Sequence, residues 1–108
     1  MKDPPAKPNS NAGAHIVSFG AMTVDLVFRS LCIEGEHYPL SPKEFMVMYM
    51  LLERGGELVS RAELCKAIGA NVDDTALENH MHRLRKKLGG HGRMLVSKRK
   101  HGYRIESI

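Results

Sequence analysis

The chain has 108 residues, 43% of them apolar and 26% charged, which allows one modest core and argues against a disordered or collagen-like chain. It holds no run of about 18 apolar residues, no apolar leader segment and only two cysteines, so a reducing, cytoplasmic setting with no membrane span, metal or other cofactor is expected. The net charge of +4 is unevenly spread: residues 1–78 carry seven Lys/Arg against eleven Asp/Glu, whereas residues 79–108 carry nine against Glu106 alone, a split that favours nucleic acid or an anionic surface as partner.

MKDPPAKPNSNAGA (1–14) is rich in Pro, Asn, Ala and Lys and has almost nothing to bury. It reads as a flexible linker or tail, leaving residues 15–108 as the domain. The next runs, HIVSFG, MTVDLVF and SLCIEG, are of β type. Val24, Leu26 and Phe28 alternate with Asp25 and Val27, and Gly35 followed by Glu36 supplies a tight turn. A small antiparallel sheet of three or four strands is predicted.

Three helix starts follow. Ser41-Pro42-Lys43-Glu44 places Ser at the N-cap, Pro at N1 and Glu at N3, a capping box. Phe45, Met48, Tyr49 and Leu52 then recur at helical spacing, and Val47, Met50 and Leu51 widen that core face until Gly55-Gly56 ends the helix. After the extended connector Glu57-Leu58-Val59, Ser60-Arg61-Ala62-Glu63 is a second capping box. It leads into Leu64, Ala67 and Ile68, and Gly69 closes the helix. The third helix starts at Asp73-Asp74-Thr75, capped either by Thr75 with Glu78 or by an aspartate. It runs through LENHMHRLRKKL (77–88) and stops at Gly89-Gly90. MLVSKRKHGYRIESI (94–108) reads as two strands around a basic turn, with Leu95 and Val96 on one arm and Tyr103 and Ile105 on the other.

At 100° per residue, Leu77, Met81, Leu84 and Leu88 fall within a sector of roughly 60° that must face the core. Thr75, Asn79, His82, Arg83 and Lys86 lie opposite, and His80, Arg85 and Lys87 flank the stripe. Cations near a helix C-terminus complement its macrodipole, and a charged outer face is common. However, no acidic residue stands at i±4 to Arg83, Lys86 or Lys87, and the tip Lys98-Arg99-Lys100-His101 repeats the charge. A helix of this width fits the DNA major groove, where Arg bonds guanine and Asn bonds adenine. Flanking cations then reach phosphates, and a basic hairpin enters the minor groove.

In this arrangement the sequence resembles the winged-helix effector domain of OmpR/PhoB-type response regulators, over residues 16–108. The resemblance is carried by LSPKEF (40–45), ELVSRAEL (57–64), HMHRLRKKL (80–88) and RKHGYRI (99–105), each weak alone and together strong in this order and spacing. It implies an α+β winged helix-turn-helix fold with an N-terminal antiparallel sheet, three helices and a C-terminal hairpin wing. It further implies a cytoplasmic transcriptional regulator of a two-component phosphorelay, with residues 75–88 in the major groove and the wing, residues 94–107, in the minor groove. The family's habits imply tandem direct-repeat DNA sites, a homodimer on DNA, and RNA polymerase meeting the loop before the third helix, short here at residues 70–74. By position, Glu78, Asn79 and Arg83 become base readers, Thr75, His80, His82 and Arg85 phosphate contacts, and Arg99 the wing arginine. The helical wheel and the charge of the tip add Lys86 and Lys100. Three positions depart from the family: Thr75 stands where Arg is usual, Asn79 where a small apolar residue is frequent, and Lys100 where Gly is common. The resembling stretch includes no phosphoacceptor receiver domain, and the linker-like first residues are what would follow one.

No Ser-His-Asp arrangement, P-loop, G-x-G-x-x-G or carboxylate pair in an apolar setting points to catalysis, so an enzyme is not expected. His80 and His82 lie about 200° apart on a helix, too far round for one metal ion. His91 and His101 are expected in solvated or phosphate-facing positions. Cys32 and Cys65 are expected in the core, and Met46, Met48 and Met50 as core packing. RNA is disfavoured by the lack of aromatic pairs for stacking bases. The alternative reading is a winged-helix module whose basic face binds an acidic protein partner.

Overall fold

Four short strands open the fold as an antiparallel meander in sequential order: β1 (Ile16–Phe19), β2 (Met22–Asp25), β3 (Ser30–Ile33) and β4 (Glu36–Tyr38). The computed structural model describes residues 15–69 and 71–107, so the expected linker at residues 1–14 lies outside the described residues. Ile33 pairs with Glu36 across the two-residue turn Glu34-Gly35, whose φ values of 50° and 85° suit the turn that matches strand twist. Met22, Val24, Leu31 and Ile33 are buried on one face of this sheet.

Two expectations for the sheet need correction. The alternation from Val24 to Phe28 suggests a strand through Phe28, but β2 ends at Asp25. The Asp25 carboxylate accepts the backbone N–H groups of Val27 (2.9 Å) and Phe28 (3.1 Å), folding the chain into a turn. Val27 and Phe28 are thereby left 58% and 78% exposed. Cys32 does not fill the core either: it is half-buried and shares its strand face with Ser30, opposite to buried Leu31 and Ile33.

The helices begin where local capping chemistry starts them. α1 (Pro42–Glu53) carries both halves of its capping box, with the Glu44 N–H donating to Ser41 Oγ (3.2 Å) and the Ser41 N–H to Glu44 Oε1 (2.8 Å). α2 (Arg61–Ile68) repeats the device with Ser60 and Glu63. α3 (Asp74–Leu88) is capped by Asp73, whose carboxylate accepts the Ala76 N–H at 2.8 Å, so the aspartate alternative holds and not the Thr75–Glu78 pairing. A short 3-10 helix (Gly89–Met94) leads into the last hairpin, β6 (Leu95–Lys98) and β7 (Gly102–Ile105).

The connector between α1 and α2 is itself a strand, β5 (Val59–Ser60), paired to β7 in a second sheet of order β5-β7-β6. This pairing explains Gly102: a Cβ there would lie 2.0 Å from the Val59 carbonyl oxygen. One hydrophobic core joins both sheets and all three helices. Leu77, Met81, Leu84 and Leu88 are each at most 1% exposed, so the stripe on α3 is fully docked. Burial of such side chains contributes about 1.5–3 kcal/mol each, enough to hold the opposite face of α3 in one orientation.

Candidate nucleic-acid interface

With its apolar stripe inside, α3 presents Thr75, Glu78, Asn79, His82, Arg83 and Lys86 to solvent. At the wing tip Lys98, Arg99, Lys100 and His101 are all exposed. The tip turn is closed by the His101 N–H donating to the Lys98 carbonyl oxygen (2.9 Å), with Lys100 at φ +68°, a left-handed conformation that glycine adopts more readily. Helix and wing meet across an open cleft of about 340 Å³ lined by Arg61, Asp74, Glu78, Arg99 and Lys100. The tertiary structure thus brings Glu78, from α3, beside Arg99 and Lys100, from the wing.

The flanking cations have partners that helical spacing does not reveal. Arg85 is half-buried, and its Nε and Nη2 donate to the Leu95 carbonyl oxygen at 3.1 and 2.8 Å. Its guanidinium also lies 5.9 Å from the centroid of the Tyr103 ring, so Arg85 fastens the first wing strand to α3. Lys87 pairs with Glu44 of α1, 43 positions away in sequence, at 2.6 Å. Glu44 is only 7% exposed. Burial alone would raise its pKa, but the Lys87 ammonium and the Ser41 hydrogen bonds outweigh it and hold the carboxyl below its ordinary value.

His80 is half-buried, and its imidazole is held below its ordinary pKa, first by burial and then by the Arg83 and Lys43 charges, against the pull of Glu44. His91 is not the solvated loop residue expected. One ring nitrogen lies 2.7 Å from the Tyr38 hydroxyl and the other 2.9 Å from Glu34 Oε1, tying the 3-10 turn to the N-terminal sheet. Glu78 is also engaged: Arg61, the first residue of α2, reaches its carboxylate at 3.1 Å. Arg61 carries no sign of this role in sequence beyond its place in a capping box. Among the described residues no group of three or more His, Cys, Asp or Glu could hold a metal ion, and no helix is long and apolar enough to cross a membrane.

A helix pair α2–α3, a hairpin behind α3 and a four-stranded sheet ahead of α1 define a winged helix-turn-helix domain. The chain belongs to the family described as "Transcriptional regulatory protein, C terminal", which matches residues 35–105. It is similar to the response regulator protein PmrA of Pseudomonas aeruginosa, with 30% identity over 90 residues, 81% of this chain and 40% of that protein. It is also similar to the DNA-binding domain of RstA from Klebsiella pneumoniae, solved in complex with the RstA box. That likeness has 30% identity and a TM-score of 0.71 over 84% of this chain and 96% of that one. The DNA-binding domain of CpxR from E. coli is similar at 26% identity and a TM-score of 0.73, over 85% of this chain and 96% of that one. The chain spans well under half the length of the curated relatives it matches.

Proposed function

We propose that residues 15–108 form the sequence-specific, double-stranded-DNA-binding output domain of a cytoplasmic transcriptional regulator that belongs to a two-component system. The observation that carries this reading is the division of α3 into a fully buried apolar stripe and an exposed face of Asn79, His82, Arg83 and Lys86, set beside a basic wing tip. The family, and relatives named as response regulators or solved on DNA, support it.

In this reading Glu78, Asn79 and Arg83 read base edges in the major groove. Thr75, His80, His82 and Lys86 contact phosphates. Arg85 contributes mainly by holding the wing, with Nη1 left for a phosphate. Arg99 and Lys100 carry the wing into the minor groove, where negative potential is concentrated. Binding is to tandem direct repeats, with a homodimer assembled on DNA, because one module of this size buries only about 600–1,000 Å² of its surface. RNA polymerase is met through the connection between α2 and α3.

The test is selection of random duplex DNA on the purified chain, followed by fluorescence anisotropy of the enriched duplex across a salt series. A defined motif, steep salt dependence and far weaker binding to scrambled DNA are expected. Weak, salt-sensitive binding without a motif would overturn the reading and put an acidic protein partner in its place.

A further inference from the structure

The charge of Arg61 sits where it adds little to fold stability. As the first residue of α2 it puts a cation at the positive end of the helix dipole. Its side chain is only 17% exposed, and its Nε is shut off from solvent with no hydrogen-bond partner among the described residues, an arrangement that costs free energy. Its two ion pairs, Nη2 to Glu78 Oε2 at 3.1 Å and Nη1 to Asp74 Oδ1 at 3.7 Å, go to side chains that are largely exposed. Pairs of that kind stabilise little.

The geometry does have a consequence for Glu78. An exposed carboxylate on a long, flexible side chain beside DNA would be repelled by phosphates and spread over many rotamers. Arg61 offsets the charge and holds Oε2. The second oxygen, Oε1, accepts no hydrogen bond among the described residues, and the side chain is 58% exposed. A carboxylate oxygen held on the exposed side of α3, in the cleft that Arg99 and Lys100 also line, is an acceptor for an exocyclic amino donor in the major groove. For an acidic side chain that donor is cytosine N4.

We propose that Arg61 is a positioning residue that sets base preference through Glu78, holding its carboxylate so that Oε1 accepts from the N4 amino group of one cytosine. This rests on the DNA-binding reading above. Arg61 then acts at one base pair and leaves the others alone, unlike a phosphate contact, which weakens all sequences alike.

The test uses the full 108-residue chain and the duplex that it enriches from random DNA, with each base pair substituted in turn. Wild type, Arg61→Gln, Arg61→Lys, Glu78→Gln and the Arg61→Gln/Glu78→Gln double variant are compared by anisotropy, with thermal melts to confirm folding. In wild type, replacing one C·G pair should weaken binding roughly ten-fold or more. Glu78→Gln and Arg61→Gln should each flatten the preference at that same pair, the double variant should flatten it no further than either, and Arg61→Lys should retain part of it. Should Arg61→Gln fail to fold, Arg61→Lys carries the comparison, since it keeps the charge and loses the fork. An intact preference in the Arg61 variants overturns the inference. So does a uniform loss on every duplex with the salt slope reduced by about 0.9, the mark of a phosphate contact. A wild type that enriches no duplex overturns the DNA-binding reading and this inference with it, whereas a selective wild type with indifferent Arg61 variants overturns this inference alone.

Discussion

Lys86 and Lys87 are neighbours of the same type on the same helix, yet the structure gives them different work. Lys86 is exposed on the outer face, whereas the Lys87 ammonium lies 2.6 Å from Glu44 Oε1. Replacing Lys87 by Met keeps most of the aliphatic stem and leaves a carboxylate whose side chain is 9% exposed without its cation, with the Ser41 N–H still donating to it. A hydrogen bond to a charged group contributes about 1.5–3 kcal/mol, and the 44% exposure of the Lys87 side chain lowers this to about 1–2 kcal/mol by solvent screening. For a domain of this size that corresponds to a fall in Tm of roughly 5–15 °C.

The loss also has a pH signature. Glu44 has a folded-state pKa held below its ordinary value, against the opposing effect of burial, so its contribution is present above the unfolded carboxylate pKa and disappears as pH falls through the folded value. The stability gap between wild type and Lys87→Met should therefore be full at neutral pH and close in acid. Thermal melts from neutral to acidic pH measure this, and anisotropy on the enriched duplex measures binding alongside. Lys87→Met should leave the salt slope of binding unchanged, while Lys86→Ala should reduce it by about 0.9 with little change in Tm. The opposite pattern, a reduced slope and an unchanged Tm for Lys87→Met, would refute the assignment of Lys87 to the fold.

Arg83→Ala should cost about 1–3 kcal/mol at one base pair of the enriched duplex and much less on scrambled DNA; equal losses on both would remove Arg83 from base reading. Lys100→Gly should relieve the left-handed strain at φ +68° and raise stability by roughly 0.5–1 kcal/mol net of the extra freedom of glycine in the unfolded chain, while weakening DNA binding. Thermal melts and anisotropy would show both, and unchanged binding would leave the lysine charge without a purpose at the tip. Burial, Arg83 and Lys43 lower the His80 pKa against the opposing pull of Glu44, and a phosphate placed beside the imidazole should raise it again. Affinity should then rise as pH falls from about 8 to 6, and His80→Gln should weaken that dependence; an identical pH profile in the variant would exclude His80 as the proton-binding group.

Much of the scaffold is legible in the amino-acid sequence. Ser41 with Glu44 and Ser60 with Glu63 start their helices by contacts within four residues, and the stripe of Leu77, Met81, Leu84 and Leu88 follows from helical spacing alone. The apolar alternation beyond Asp25 misled because an aspartate side chain competing for local N–H groups can end a strand that hydropathy would continue. The wing hairpin was visible as two arms and a basic tip, but its third strand was not: two residues, Val59 and Ser60, carry no periodicity, and only their partner in β7 makes them a strand.

For the candidate site, composition and spacing determined which helix face is apolar and which is cationic, because both patterns repeat within one or two turns of a single element. They could not assign the individual charges. Arg61 to Glu78, Arg85 to Leu95, Lys87 to Glu44 and His91 to Tyr38 and Glu34 each join different elements of the fold. Long polar side chains have many rotamers and no local preference strong enough to choose among them, so their partners are selected by whichever element the packed core brings within reach. The sequence by itself therefore determined that this chain has a basic helix and a basic wing; the tertiary structure decided which of those cations are committed to the fold and which stay exposed to solvent.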